Sequence, residues 1–147
     1  MIVDDPYNLQ RFLNAQEVNY TIALEELGHG KKESHWIWYI FPQVEGLGSS
    51  SMAQKFAIRS RDEAAAYLAH AMLGPRLREC CEALLSHATT PIEIIMGYPD
   101  DLKLRSSMTL FAAITDNDPI FRQVLNLFFE GQSDDHTLNF LNPPQTR

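Results

Sequence analysis

Residues 97–112 read GYPDDLKLRSSMTLFA, and this stretch decides the fold class. Pro99 and Asp100 form a helix-start signal, in which the Asp100 side chain can cap the first turn. Apolar residues then recur at helical spacing, at Leu104, Met108, Phe111 and Ala112. The stretch therefore predicts an amphipathic helix with one face in a hydrophobic core.

Similar start and stop signals predict helices on both sides of this stretch. The predicted helices run from Asp5-Pro6 to Gly28, over 64–70 behind the capping box Ser60 to Glu63, from Gly74-Pro75 to Leu85, from Thr90-Pro91 to Met96, from Asp118-Pro119 to just before Gly131, and over 137–141. Hairpin signals, internal repeats and long linkers do not occur in the sequence. The prediction is an all-α, single-domain orthogonal bundle of about six to eight helices over residues 1–147, with a frayed or disordered tail from about 142.

Residues 36–41, WIWYIF, are the ambiguous part of this prediction. A short run of aromatic and β-branched residues fits a helix or a strand, and periodicity cannot separate the two. We favour a helix that ends near Pro42. Residues 44–51, VEGLGSSS, lie between two apolar segments and are typical of a connecting or functional loop.

Composition and charge exclude several classes of protein. The chain has 147 residues, and 12 Lys and Arg against 19 Asp and Glu give a formal charge of -7. This charge repels polyanions, so we expect no nonspecific binding to nucleic acid or to an anionic membrane. Cys80 and Cys81 are adjacent in a predicted helix, where a disulfide between them is geometrically disfavoured. Without a signal peptide or a membrane span, the sequence predicts a cytoplasmic protein.

The first candidate site is an aromatic stretch that also carries a cation, an imidazole and an amide. Its candidate ligand-binding residues are Lys32, His35, Trp36, Tyr39 and Gln43. Aromatic faces can stack on a base or a sugar, while His35 could exchange a proton as a candidate catalytic residue. The alternative is that the large aromatic residues only fill the core.

The second candidate site is on the helix quoted above. Lys103, Ser106 and Ser107 share one helical face, and a lysine beside two hydroxyls suits an anion. The alternative is an exposed polar face on which Asp101 and Arg105 pair along the helix.

Other chemistry finds less support in the sequence. The five histidines do not have the spacing of a helical zinc site, so we predict neither a metal nor a cofactor. Cys80 and Cys81 lie among leucines, where burial would keep a thiol inert. Backbone N–H groups of the loop 46–50 could hold a phosphate, but such loops are common and we favour a flexible connector.

Several motifs together resemble domain-of-unknown-function family 1810. The matching residues are Lys32, residues 34–43 (SHWIWYIFPQ), Gly46-Leu47-Gly48, Ala66-Tyr67-Leu68 with His70, residues 73–77 (LGPRL), residues 99–111 (PDDLKLRSSMTLF) and Thr137-Leu138. The resemblance implies a small, mostly α-helical protein and brings no established activity. Sequences of this family sometimes carry the label calpastatin, but no inhibitory repeat in this chain supports that label.

Two hypotheses on function follow from these observations. In the first, the two candidate sites, here called the two motif blocks, converge on one cleft that binds a phosphorylated or nucleotide-like small molecule, with Lys32 and Lys103 holding the anion. The protein could also act on this molecule as an enzyme. In the second, the chain is a protein-binding or regulatory helical module without catalysis. The sequence does not predict an oligomeric state.

Overall fold

The computed structural model describes residues 4–143, which form nine helices and contain no strand. The helices are α1 (Gln10–Gly28), α2 (Ile37–Ile40), α3 (Ser51–Lys55), α4 (Arg61–Ala69), α5 (Leu73–Leu85), α6 (Ile92–Met96), α7 (Asp100–Ile114), α8 (Ile120–Phe129) and α9 (Asp135–Leu141). The all-α prediction is confirmed. None of the helices in this part of the chain is long and apolar enough to cross a membrane.

Nine helices exceed the predicted six to eight because α3, a helix of five residues, is not among the predicted helices. Helix α2 has only four residues. The aromatic run 36–41 does contain a helix, but it is a single turn. Next to it, residue Val44 pairs with Ile58 in an isolated parallel bridge. Helix α3 begins after Ser50, whose hydroxyl accepts a hydrogen bond from the N–H of Ala53.

One predicted helix start and one predicted helix cap are wrong. Helix α1 begins at Gln10 rather than at Asp5-Pro6, because Asn8 has a positive φ of 52° that interrupts the helix. The carboxylate of Asp5 accepts from the N–H groups of Leu9 and Gln10, at 2.8 and 3.0 Å. In α7 the cap is Pro99, and Asp100 lies in the first turn without a capping bond because its carboxylate pairs with lysines.

The core is one hydrophobic cluster to which α1, α2 and α4–α8 contribute buried side chains. Helix α7 packs against α4, α6, α8 and α9, and α5 packs against α1, α4 and α8. A chain of aromatic contacts links these helices, from Phe12 through Tyr67 and Phe111 to Phe121. Because burial removes apolar surface from water, this cluster is the main source of stability.

The C-terminal end of the described chain follows α9. The N–H of Asn142 donates to the carbonyl of Leu138, and Asn142 and Pro143 are exposed. The predicted frayed tail from about 142 falls mostly on residues 144–147, which lie outside the described residues.

Candidate functional site

Lys32 and Lys103, the two lysines of the motif blocks, meet at one carboxylate. The ammonium of Lys32 lies 2.7 Å from Asp100 Oδ2, and that of Lys103 lies 3.3 Å from Asp100 Oδ1. Lys32 Nζ also donates to the carbonyl of Ser34 at 2.6 Å, and only 5% of its side chain is exposed. The structure thus brings both lysines together, with the protein's own anion between them.

Each of these lysines also lies over an indole ring. Lys32 Nζ is 4.9 Å from the ring centroid of Trp36, and Lys103 Nζ is 5.2 Å from that of Trp38. Cation–π attraction of this kind stabilises an ammonium that is partly removed from water. The lysines, the tryptophans and Asp100 therefore form one continuous cluster at the contact of α2 with α7.

The two tryptophans differ in their surroundings. Trp36 is 1% exposed, and its indole N–H donates to Glu26 Oε1 at 2.9 Å, which makes it a satisfied core residue. Trp38 is only partly buried. Its indole nitrogen is inaccessible to solvent and has no hydrogen-bond partner within residues 4–143. A buried N–H without an acceptor is uncommon in folded proteins.

The other candidate residues have separate positions. Tyr39 is 5% exposed and its hydroxyl donates to the carbonyl of His35 at 3.4 Å, while the His35 side chain is exposed. Ser106 is 4% exposed and its hydroxyl donates to the carbonyl of Leu102. Ser107 is fully buried, and its hydroxyl has no partner within residues 4–143.

The interpretation of α7 as an exposed polar face does not describe this helix. Both serines are buried, and so is Asp101. Asp101 and Arg105 form no ion pair in the described part of the chain, although one polar atom of each is buried without a partner. Asp101 and the two serines of α7 therefore face the interior.

A cavity of about 150 Å³ lies beside Trp38. Its walls are Trp38, residues 43–48, two residues of α3, and the segment 56–59 without Ile58. Among the candidate residues, Gln43 lines this cavity, whereas His35, Trp36, Tyr39 and the α7 residues do not. The glycine-containing loop is thus part of a cavity wall as well as a connector.

The loop has three consecutive backbone N–H groups without a partner among the described residues. The carbonyls of Gln43 and Glu45 already accept bonds, from the N–H of Ile58 and from His136 Nε2. The N–H groups of Gly46, Leu47 and Gly48 donate to no acceptor among residues 4–143. Consecutive free N–H groups in a turn are a common feature of anion sites.

Arg11 holds the segment 55–57, of which Phe56 and Ala57 line the cavity. Its guanidinium donates to the carbonyls of Lys55 and Ala57 at 2.8 and 2.9 Å, and it pairs with Glu63 at 2.7 Å. Less than a tenth of either charged side chain is exposed. Since the guanidinium has several fixed donors, it can hold segment 55–57 against α1 and α4.

Metal and thiol chemistry have no geometric basis in the described residues. No group of three His, Cys, Asp or Glu side chains among residues 4–143 could hold a metal ion. Burial raises the pKa of the Cys80 thiol to about 12 and raises that of Cys81 well above its ordinary value. Because the thiolate is the nucleophile, neither cysteine is poised to react at neutral pH.

Sequence reasoning missed two residues of this site. Trp38 belongs to the aromatic run, but Trp36 and Tyr39 were the predicted stacking residues, because periodicity does not show which face of a one-turn helix is buried. Arg59 lies outside both motif blocks. It reaches the cavity through the Val44 and Ile58 bridge, a long-range contact that no local pattern indicates.

The helices and the cavity define a small all-α protein with a polar cavity beside one tryptophan. Residues 6–141 match the family described as protein of unknown function DUF1810, and the chain belongs to that family. The expected resemblance is confirmed.

A solved structure has the same fold. The crystal structure of the conserved hypothetical protein Rv1873 from Mycobacterium tuberculosis is 46% identical, with a TM-score of 0.93, over 95% of this chain and all of that one. No curated protein matches the chain.

Proposed function

We propose that this chain is a small-molecule-binding domain whose ligand, phosphorylated or nucleotide-like, binds in the cavity beside Trp38. The observation that carries the proposal is Trp38 itself. One side of its ring is covered by Lys103, which does not line the cavity, so the ring meets the cavity with its other face or an edge.

The volume of the cavity restricts what the ligand can be. About 150 Å³ is roughly half the lower limit of sites that enclose a drug-sized molecule. The cavity therefore encloses one ring or one phosphate-sized group, and the rest of a larger ligand lies on the surface. A mononucleotide or a phosphorylated metabolite fits this description better than a fully enclosed dinucleotide.

The proposal does not include a reaction. His35, the candidate for proton exchange, is exposed and does not line the cavity. Among the described residues, Glu45 is the one carboxylate in the cavity wall. It forms an ion pair with Arg59 and does not pair with a second carboxylic acid. Binding without catalysis is the simpler hypothesis.

Two free, buried cysteines also support a reducing compartment, and we propose that the protein acts in the cytoplasm.

A thermal-shift panel of phosphorylated metabolites and nucleotides tests this proposal. A ligand at 100 times its Kd should stabilise the fold by about 2.7 kcal/mol, which is a rise of a few degrees in Tm. Trp38→Phe reduces the stacking surface, so the shift should shrink. Tyr98→Ala is the control, because Tyr98 is 79% exposed and lies outside the cavity wall.

A protein-binding surface is the second candidate function. Ile94, Tyr98 and Leu102 are spaced four residues apart around the start of α7, and they are 63%, 79% and 38% exposed. Such exposed apolar side chains favour a protein partner. A flat panel on folded protein, together with a partner whose co-purification depends on Tyr98, would favour this function over ligand binding.

A further inference from the structure

The two lysines that the sequence predicts to bind an anion already interact with groups of the protein itself. Asp100 neutralises one of the two positive charges, and Lys32 is nearly fully buried. Neither lysine lines the cavity. A ligand anion in the cavity therefore needs another cation and other donors.

Arg59 is the only cationic side chain in the wall of this cavity within residues 4–143. We infer that Arg59, with the free N–H groups of residues 46–48, forms the anion-binding part of the cavity, and that Glu45 holds Arg59 until the ligand replaces it. This inference rests on the proposed small-molecule function. It assigns a ligand class, a phosphate or carboxylate group attached to a ring.

The positive charge of Arg59 and the N–H groups of the loop together suit an anion. The wall residues offer three N–H groups without a partner among residues 4–143 and the guanidinium of Arg59. The carbonyls of Gln43 and Glu45 are occupied. A charged acceptor can satisfy several of these donors at once, and bonds to an ionised group are the strong ones.

The contact between Glu45 and Arg59 is weak enough for a ligand anion to replace the Glu45 carboxylate. Arg59 Nε lies 3.7 Å from Glu45 Oε2, with 63% of the Arg59 side chain and 50% of the Glu45 side chain exposed. An exposed pair at this distance contributes little to stability. A phosphate that reaches the loop N–H groups can therefore displace the Glu45 carboxylate from Arg59 at little cost.

The geometry of the loop keeps its N–H groups in place. Gly46 has a φ of +90°, and a Cβ at this position would lie 3.1 Å from the His136 ring. His136 Nε2 must donate to the carbonyl of Glu45, at 3.2 Å, because a carbonyl can only accept. Helix α9 thus supports the loop through His136.

Phenyl phosphate, phenol and benzylamine are the probes, because they share a ring and differ in charge. Binding is followed by amide NMR shifts of residues 46–48 during titration of the full chain. We expect saturable shifts with phenyl phosphate, about tenfold weaker binding in Arg59→Gln, and about two- to fivefold tighter binding in Glu45→Gln. Arg122→Gln is the control for charge, because Arg122 is exposed on α8 and lies outside the cavity wall.

The outcomes separate this inference from the proposed function. Tight binding of phenol or benzylamine at these amides, unchanged by Arg59→Gln, keeps a small-molecule site but overturns the anion assignment. Equal weakening in Arg59→Gln and Arg122→Gln also overturns it, because that result shows a general charge effect. If none of the three probes shifts these amides, the anion site and its role in the proposed function both fail. All three variants replace exposed side chains, so they are expected to fold.

Discussion

The Glu26 carboxylate anchors the start of the aromatic run. It accepts hydrogen bonds from the N–H groups of Glu33 and Ser34, from the Ser34 hydroxyl and from the indole of Trp36, at 2.5 to 2.9 Å. Partial burial acts to raise the pKa of Glu26, but these four bonds outweigh it and lower the pKa to about 2. One carboxylate thus ties α1 to the segment that leads into α2.

Glu26→Gln should destabilise the protein by about 2 kcal/mol at neutral pH, because bonds to a charged acceptor are lost and a remaining donor is left unpaired. The pKa of Glu26 is lower in the folded state than its ordinary value of 4.5. Its contribution is therefore complete above about pH 5 and is lost as the pH falls towards 2. Urea unfolding of both proteins at several pH values measures this difference.

The neighbouring residue gives a matched control for this prediction. Glu25 is exposed on the same helix, so Glu25→Gln should change the free energy of unfolding by less than about 0.5 kcal/mol. If wild type and Glu26→Gln differ by the same amount at neutral pH as at a pH near the pKa of Glu26, the charge on this carboxylate does not stabilise the fold.

Single residues also show how much of the site the sequence could predict. The nearness of Lys32 to Lys103 followed from the idea that the two blocks share a cleft, and the structure places the two together. What lies between them, Asp100, was expected to be a helix cap. A local start signal cannot show that two distant ammonium groups attract the same carboxylate.

At the scale of helices, α4 and α5 approach each other at Gly74. A Cβ on Gly74 would lie 2.1 Å from the carbonyl oxygen of Leu68, a backbone atom that cannot move aside as a flexible side chain could. Glycine is required at this position by the close approach of the backbone, although its place in the first turn of α5 would otherwise favour alanine.

Gly74→Ala should lower the free energy of unfolding by about 2 kcal/mol. Overpacking costs about 3 kcal/mol, and the better helix propensity of alanine offsets about 1 kcal/mol of that cost. Gly28→Ala is the control, because no atom lies within 4 Å of a Cβ at Gly28. Thermal unfolding of both variants is the measurement, and equal Tm values for the two would contradict the close approach.

Helix ends and short helices mark the limit of what the sequence shows about elements. Helices α5, α6 and α8 begin within two residues of their predicted positions, because Pro and capping signals act locally. Helix α1 begins later than predicted because Asn8 takes a positive φ, which a start signal does not reveal. The bridge between Val44 and Ile58 depends on tertiary contacts, so the cavity could not be predicted from periodicity.

At the scale of the whole molecule, Cys80 and Cys81 lie at the centre of the packed structure. Both are fully buried on α5, the helix that packs against α1, α4 and α8. Cys81 Sγ also contacts the sulfur of Met108 at 3.6 Å, which links α5 to α7. Neither thiol can reach solvent unless these helices separate, so thiol exposure reports the opening of the core.

The thiols should therefore resist labelling by Ellman's reagent in the native protein at mildly alkaline pH and react fully in guanidinium chloride. Burial removes access and raises both thiol pKa values, so the native thiolate fraction is small. When reclosing is faster than labelling, the rate follows the population of the open state. A loss of about 2 kcal/mol in Gly74→Ala should then accelerate labelling roughly 30-fold, since about 1.4 kcal/mol corresponds to a factor of ten. Rapid stoichiometric labelling of wild type would show instead that α5 separates from its neighbours without global unfolding.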